Sequence, residues 1–397
     1  MLKKDIALVV VAYNSGEQLQ RCLDSVKISA LQAGMSIYLV VVDNHADSLD
    51  SWADSECDHY IALPSNPGFG VGNNAGLNYL LAEVDFTRVL LLNPDAWLEG
   101  AFMSRLREFL VLDDAADVIA PLSILPTNVR ALSISDLLIP NTEARSIMLH
   151  TGLSSIVIHS NKGEPLHIGM ASFTQVLKDQ WLSWPIGGAP TQIRLINADT
   201  GEELASHTAA QLENLSLNRS IILNAGSFVE APSEAGDIAH LFLDTGFYSN
   251  STVEVGGWCG SAVVLSRRYL TDVGGFSPAF FMYYEDSDLS LRGLRAGYLT
   301  KFNPELVVYH ELSSSTGAVP HLRQQWIVRS RGVFSARGFG LPVSVMKFLL
   351  HINREKIARL LRNPNALQRA GGARKMLIKL KGAIAGSISR KKTMLRG

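Results

Sequence analysis

Cysteine is scarce in this chain, and long apolar runs are missing. Its three cysteines, Cys22, Cys57 and Cys259, are odd in number and widely spaced. That spacing excludes a disulfide framework and a zinc pattern, and it fits a reducing, cytoplasmic setting. No stretch approaches the roughly 18 uncharged apolar residues that a membrane-spanning helix needs. The start places Lys3 and Lys4 before the apolar run Ile6 to Ala12, as a secretory leader would. The run stops at Tyr13-Asn14 with no small-residue cleavage site, and it reads as a buried strand. Internal repeats and low-complexity tracts are also lacking. Hydrophobic residues nevertheless make up 47% of the 397 positions, enough for the cores of two or three domain-sized units.

Net charge is nearly absent, at −1, but its distribution is uneven. From Lys347 onward there are 14 Lys/Arg and one acid, Glu355, a balance of +13, while residues 1–346 hold 22 basic and 36 acidic residues, a balance of −14. The basic end also carries apolar residues at helical spacing, such as Val345, Phe348, Leu349 and Ile352. A basic amphipathic segment over 341–397 points to an anionic membrane surface as partner, with the protein peripheral at the inner face of the cell membrane. Nucleic acid is disfavoured, because interleaved aromatics and a recognisable binding module are absent. Oligomeric state has no signal.

Along the first 122 residues, strand and helix patterns alternate. Strands are expected at Ile6–Ala12, Ile37–Val42, Tyr60–Leu63, Val89–Leu92 and Val118–Ala120, and helices at Glu17–Ala33, Asn74–Leu81 and Phe102–Leu112. This rhythm predicts an α/β fold with a mostly parallel sheet and helices on both faces. Ligands of such sheets bind beyond the carboxyl ends of the strands. The rhythm breaks over 123–220, where Pro, Gly, Ser and Thr suggest an insertion with some helix and antiparallel sheet. It resumes over 221–320 with a strand at Gly260–Leu265, a helix at Asp286–Ala296 and short strands at Leu299–Phe302 and Leu306–Tyr309, and a helical basic tail is expected over 321–397.

Polar residues that end apolar strands are the candidate site. Asp43-Asn44 closes the second strand, where a carboxylate serves a base or ribose, or only a turn. Asn93-Pro94-Asp95 ends the most apolar strand. Pro94 stops the ladder there, and a single carboxylate completed by phosphates and water suits Mg²⁺. The glycine-rich stretch Asn66–Gly76 enters a helix whose N-terminus could receive phosphate. Within it, Gly70, Gly72 and Ala75 fit a dinucleotide fingerprint, with Asp95 at the matching distance. That spacing leaves an NAD-linked oxidoreductase as a rival reading, but no strand runs straight into the turn. His310 ends a strand, with Glu311 beside it to tune its charge. In Phe280-Phe281-Met282-Tyr283-Tyr284-Glu285-Asp286-Ser287-Asp288, three acids follow an aromatic run. Acids repel one another and aromatics prefer burial, so the pairing marks either a catalytic cluster or a capped helix start.

Taken together these segments resemble the inverting family 2 glycosyltransferases of the nucleotide-sugar-dependent GT-A class, and among them the rhamnosyltransferase-like members of bacterial surface polysaccharide synthesis. The resemblance rests on Val9 to Asn14, Val41 to Asn44, Asn66 to Gly76, Leu91 to Ala96, Asn224-Ala225-Gly226, Asp244 to Phe247, Val253 to Val255, Trp258-Cys259-Gly260, Val273 to Leu289 and His310. It covers roughly 1–122 and 221–315. It implies a GT-A fold that moves a sugar from a nucleotide-diphosphate donor to a glycan or lipid-linked acceptor, with Mg²⁺ or Mn²⁺ as cofactor. By resemblance, Ala12, Tyr13, Asn14, Asp43, Asn66, Gly72, Asn73, Asn93 and Gly260 line the donor site. Asp95 holds the metal with help from His310, although the first acid of the usual Asp-x-Asp is replaced by Asn93. Asp286 is the general base, with Glu285 tuning it or touching the acceptor, and repulsion from Glu285 and Asp288 should raise one member of the cluster. A binding protein of the same fold without turnover is the non-enzymatic alternative.

Overall fold

The computed structural model describes residues 2–45, 51–113, 115–126, 128–133, 146–150, 155–159, 166–170, 173–177, 181–185, 192–197, 200–230, 234–244, 246–248, 251–311 and 320–340. The basic stretch 341–397 lies outside the described residues. The chain divides into two compact units: Met1–Ser123, Asn224–Ile238 and Ser251–Gly397 form the first, and Ile124–Leu223 with Ala239–Asn250 form the second.

The first unit is built on a twisted mixed sheet. Its strands include β1 (Ile6–Ala12), β2 (Ile37–Asp43), β3 (His59–Ala62), β4 (Arg88–Leu92), β5 (Ala96–Leu98), β6 (Val118–Ile124), β7 (Ser227–Glu230), β8 (Glu234–Asp237), β9 (Val253–Val255), β10 (Ala262–Ser266) and β11 (Thr300–His310), besides a short parallel pair of Leu2–Lys4 with Val84–Phe86. Its helices are α1 (Glu17–Ala33), α2 (Phe69–Glu83), α3 (Phe102–Leu112), α4 (Arg267–Val273), α5 (Glu285–Arg295) and α6 (Pro320–Phe339). The central strands run in the order β6-β10-β4-β1-β2-β3. β1 to β4 are parallel, as the strand–helix rhythm predicts, whereas β10 lies antiparallel between β4 and β6. β7 and β8 form a separate hairpin.

β1 is apolar at every position because the sheet is covered on both faces. Ile6, Leu8, Val10 and Ala12 face the core under α1 and α3, while Ala7, Val9 and Val11 face the core under α2 and α4. Register sets the functional edge: Ala12 lies opposite Asp43, and Val10 opposite Leu92. The strand order reverses direction at β1, so the residues just beyond β1, β2 and β4 gather at the switch point where such sheets bind ligands.

Two elements differ from expectation for identifiable reasons. α2 begins at Phe69 rather than Asn74. The glycine-rich stretch expected to lead into the helix is itself helical from Phe69, because tertiary packing overrides the low helix propensity of glycine: a Cβ on Gly72 would lie 2.7 Å from Val11 Cγ1, and one on Gly76 2.7 Å from Val9 Cγ1. The two short strands expected near 299–309 are one strand, β11. Its residues 300–302 pair with β9 and 308–310 with β5, with Pro304 between the two pairings.

The second unit has antiparallel strands, including a sheet ordered Ser155–His159, Ser146–His150, Gln192–Asn197, Glu203–Thr208, and a short helix at Ala209–Leu215 closed by a capping box between Thr208 and Gln211. No helix among the described residues is long and apolar enough to cross a membrane.

Candidate active site

At the end of β2, Asp43 is fully buried. Its Oδ2 accepts from the Tyr60 hydroxyl at 2.5 Å and its Oδ1 from the His45 amide at 3.0 Å, so β3 and the following turn fix the carboxylate. Asn44 donates through Nδ2 to Asn66 Oδ1 and the Gly68 carbonyl, both at 3.3 Å, while its own buried Oδ1 has no hydrogen-bond partner. Asn66 Oδ1 also accepts from the Gly68 amide at 2.9 Å. Ala12 is buried, Tyr13 is 40% exposed, and Asn14 adopts a left-handed backbone with φ 51°. Tyr13 meets His45 edge to face with ring centroids 5.8 Å apart. The structure therefore brings Ala12, Tyr13, Asn14, Asp43 and Asn66 to one edge. Gly72 and Asn73 turn inward: the Gly72 amide continues the helix by donating to the Gly68 carbonyl, and Asn73 Nδ2 donates to the Phe69 carbonyl.

Beyond β4, Asp95 and His310 face each other, with Nε2 and Oδ1 3.2 Å apart and both side chains largely buried. Antiparallel pairing of β5 with β11 puts His310 opposite Ala96, and the Glu311 amide donates to the Asp95 carbonyl. Glu311, expected to act on His310, instead accepts from Gln18 Nε2 at 2.7 Å and pairs with Arg21 at 3.0 Å, which ties β11 to α1. Asn93 Oδ1 is buried without a hydrogen-bond partner. Among the described residues, no group of three or more His, Cys, Asp or Glu side chains could hold an ion. Asp95 and His310 could supply two ligands, and the orphaned Asn93 oxygen is a neutral acceptor on the same strand end. This set fits an Mg²⁺ or Mn²⁺ ion that takes its remaining ligands from a diphosphate and water, and does not fit an ion held by the protein alone.

The aromatic run lies against this edge. The Phe69 amide donates to the Phe281 carbonyl at 3.0 Å, and a Cβ on Gly68 would fall 2.2 Å from that carbonyl oxygen, so only glycine fits there. Tyr283 and Tyr284 both have left-handed backbones, with φ 68° and 67°. Such strain in consecutive non-glycine residues persists only when surroundings enforce it, and α6 does so. Trp326 packs on Phe281, Phe334 on Tyr284, and Ser330 Oγ donates to the Met282 carbonyl at 2.8 Å.

The three acids separate by environment. Asp288 accepts from Arg292 Nε at 3.0 Å and Arg337 Nε at 2.9 Å, a buried ion triad that binds α5 to α6. Glu285 is buried with Oε2 unpartnered; burial, and then the Asp286 charge, push its carboxyl well above the usual range. Asp286 Oδ2 accepts from the Gly260 amide at 2.9 Å and Oδ1 from the Ser287 amide at 2.7 Å. Burial, and then the charge of Asp237, push it up to about 6 against the opposing hydrogen bonds. Repulsion on Asp286 therefore comes from Asp237 rather than Asp288. Asp237 and Arg337 escaped the sequence reading, since no local pattern links them to Asp286 or Asp288. The two sides join through the backbone: the Asn93 amide donates to the Ser261 carbonyl at 2.9 Å, next to Gly260. A metal-capable pair and a carboxylate of raised basicity thus share one sheet edge, an arrangement suited to activating a hydroxyl beside a bound diphosphate.

Parts of the chain are similar to known proteins. The sequence model described as glycosyl transferase family 2 matches residues 7–143, and that described as glycosyl transferase family group 2 matches residues 207–362. A low-salt glycan biosynthesis hexosyltransferase of Haloferax volcanii is 31% identical over 91 residues, which are 23% of this chain and 28% of that protein. An N-acetylglucosaminyl-diphospho-decaprenol L-rhamnosyltransferase of Mycobacterium tuberculosis is 42% identical over 65 residues, 16% of this chain and 21% of that protein. The matches thus span less than a third of these relatives' own lengths. A mannosyltransferase of Pyrobaculum calidifontis, solved in complex with GDP-Man and Mn²⁺, aligns over 98% of this chain and 88% of its own, with TM-score 0.42 and 11% identity.

Proposed function

This chain belongs to the family 2 glycosyltransferases, and we propose that it transfers a hexosyl group, rhamnosyl being the leading candidate, from a nucleotide-diphosphate donor to a glycan or lipid-linked acceptor with inversion. The observation that carries the reading is Asp286, held by the Gly260 and Ser287 amides with its carboxyl at about 6. A base poised just below neutral pH is ionised in use and still takes up a proton readily. In the proposed step, Asp286 takes the proton of the acceptor hydroxyl as that oxygen bonds to the anomeric carbon. The bond from that carbon to the diphosphate oxygen breaks from the opposite face. Asp43 and the Asn66–Gly68 turn receive the nucleoside, and Asp95, His310 and Asn93 face the diphosphate. A divalent cation, when bound, neutralises charge on the leaving diphosphate.

The dinucleotide-fingerprint spacing of Gly70, Gly72 and Ala75 has another explanation in packing, because a Cβ on Gly70 would lie 2.9 Å from Phe276 Cβ and one on Gly72 2.7 Å from Val11 Cγ1. The raised Asp286 speaks against a binding protein without turnover, since binding alone needs no base. The +13 balance from Lys347 onward supports docking at the cytoplasmic face of an anionic membrane. Co-sedimentation with anionic vesicles should be lost on truncation to residues 1–340, and equal binding by both forms would refute that role.

A thermal-shift screen of the full chain against nucleotide sugars, with and without Mn²⁺, tests the donor reading. A true donor at 100 times its Kd adds about 2.7 kcal/mol of stability. A complete panel with no stabilising member would contradict it.

A further inference from the structure

The hairpin of β7 and β8 carries a carboxylate that the reaction as described leaves unused. Asn224, 3% exposed, is saturated by local bonds: its Oδ1 accepts from the Gly226 amide at 2.9 Å, and its Nδ2 reaches the Gly226 carbonyl at 3.0 Å, Ser227 Oγ at 3.2 Å and Asp237 Oδ1 at 2.8 Å. Ser227, opposite Asp237 in the hairpin register, donates to the same oxygen at 3.1 Å. Two donors on one oxygen fix the Asp237 carboxylate in place. Gly226 must be glycine, with φ 83° and Val255 Cγ2 2.8 Å from where its Cβ would lie.

The hairpin lies flush on the segment leading to Gly260. The Ser227 amide donates to the Gly257 carbonyl at 2.9 Å. A Cβ on Gly256 would lie 2.8 Å from the Val229 amide nitrogen, and one on Gly257 2.8 Å from Ser290 Oγ of α5. Four residues beyond Gly256, the Gly260 amide grips Asp286. We propose that Asp237 is a positioning residue of the transfer reaction, held by Asn224 and Ser227 so that its negative charge acts on Asp286 and keeps that carboxylate proton-accepting near neutral pH. This rests on Asp286 being the base.

The other groups around Asp286 leave Asp237 as the charged one. Glu285 on the same helix, the Cys259 thiol and the Tyr284 hydroxyl are each pushed upward chiefly by burial, which favours their neutral forms. Glu234 of the same hairpin and Arg331 of α6 act on Tyr284 with opposite sign. Asp237 raises both Cys259 and Asp286. It is exposed at its own position, so its influence passes partly through solvent and is open to screening by salt.

The pH dependence of kcat/KM for sugar transfer decides the matter, measured on the full chain at about 0.05 and about 0.5 M salt. In Asp237→Asn the acidic limb should move down by at least about 0.5 pH unit, the lower end of a single-charge effect at a partly solvated site. Salt should lower the limb of the wild type and leave that of the variant in place. Asp237→Glu should restore the wild-type limb. Gly256→Ala, which lifts the hairpin while keeping the charge, should shift the limb in the same direction by less, and it serves if Asp237→Asn fails to fold. An unmoved, salt-insensitive limb in folded variants overturns the inference, provided Asp286→Asn abolishes transfer. Full turnover by Asp286→Asn instead overturns the base assignment beneath it.

Discussion

The strand ends that hold Asp43 and Asp95 and the turn that presents Asp286 use acids in opposite ways. Asp43 is fixed by Tyr60 and a local amide at the end of β2, and Asp95, in the turn between β4 and β5, by His310 and the β5–β11 pairing. Asp286 follows two left-handed tyrosines, is held by only two neighbouring residues, and is pushed toward its neutral form. The difference is one of task. In the proposed reaction, receiving a nucleotide and a diphosphate needs groups held at set positions, which a sheet edge provides. Taking a proton near neutral pH needs a perturbed group, and perturbation needs enforced strain and desolvation. In this molecule α6 supplies the enforcement through Trp326, Ser330, Phe334 and Arg337.

The contrast breaks most sharply at Asp288. Removing the acid of the buried ion triad takes from Arg292 and Arg337 the carboxylate they share, so Asp288→Ala should cost about 3–5 kcal/mol in denaturant unfolding, releasing α6 and the strained turn together. A smaller effect belongs to the strand-end side. Asp95→Ala should lose roughly 10²-fold in metal-stimulated rate, in line with the several kcal/mol a cation contributes to leaving-group charge, while its unfolding stays close to wild type. Retained metal stimulation would show that Asp95 is not a ligand.

The smallest effect sharpens the contrast through pH. A carboxyl raised to about 6 binds its proton more tightly in the folded state than its ordinary value of 3.8 allows when unfolded. Its contribution to stability is therefore complete below the ordinary value and is lost as pH rises through about 6. Asp286→Asn cannot lose it, so the variant should gain a few degrees in Tm on the wild type between pH 5 and pH 8. A constant difference across that range would mean that Asp286 is not perturbed in the folded protein.

Much of the first side was legible in sequence. Val9-Val10-Val11 reads as a doubly covered strand, and α1 and α3 fall at the boundaries their periodicity predicts. Asp43, Asp95 and His310 each end an apolar run, so their placement at the edge followed from the fold class. The second side was legible in kind but not in wiring. Three acids after four aromatics marked a conflict of local rules, yet what separates Asp286 from Asp288 is Arg337, 49 residues from Asp288, and a hairpin acid at Asp237. Such partners are chosen by tertiary contact and leave no spacing to read. The early start of α2 was hidden for a related reason: glycines that weaken a helix locally are what let this one approach Val9 and Val11.

A donor-dependent transfer assay on Asp286→Asn, with donor binding measured in parallel, is the most direct test of the proposal that Asp286 takes the acceptor proton. Donor affinity should stay close to wild type and kcat should fall by at least about 10²-fold, the usual contribution of general base catalysis. Near-normal turnover with intact donor binding would contradict it.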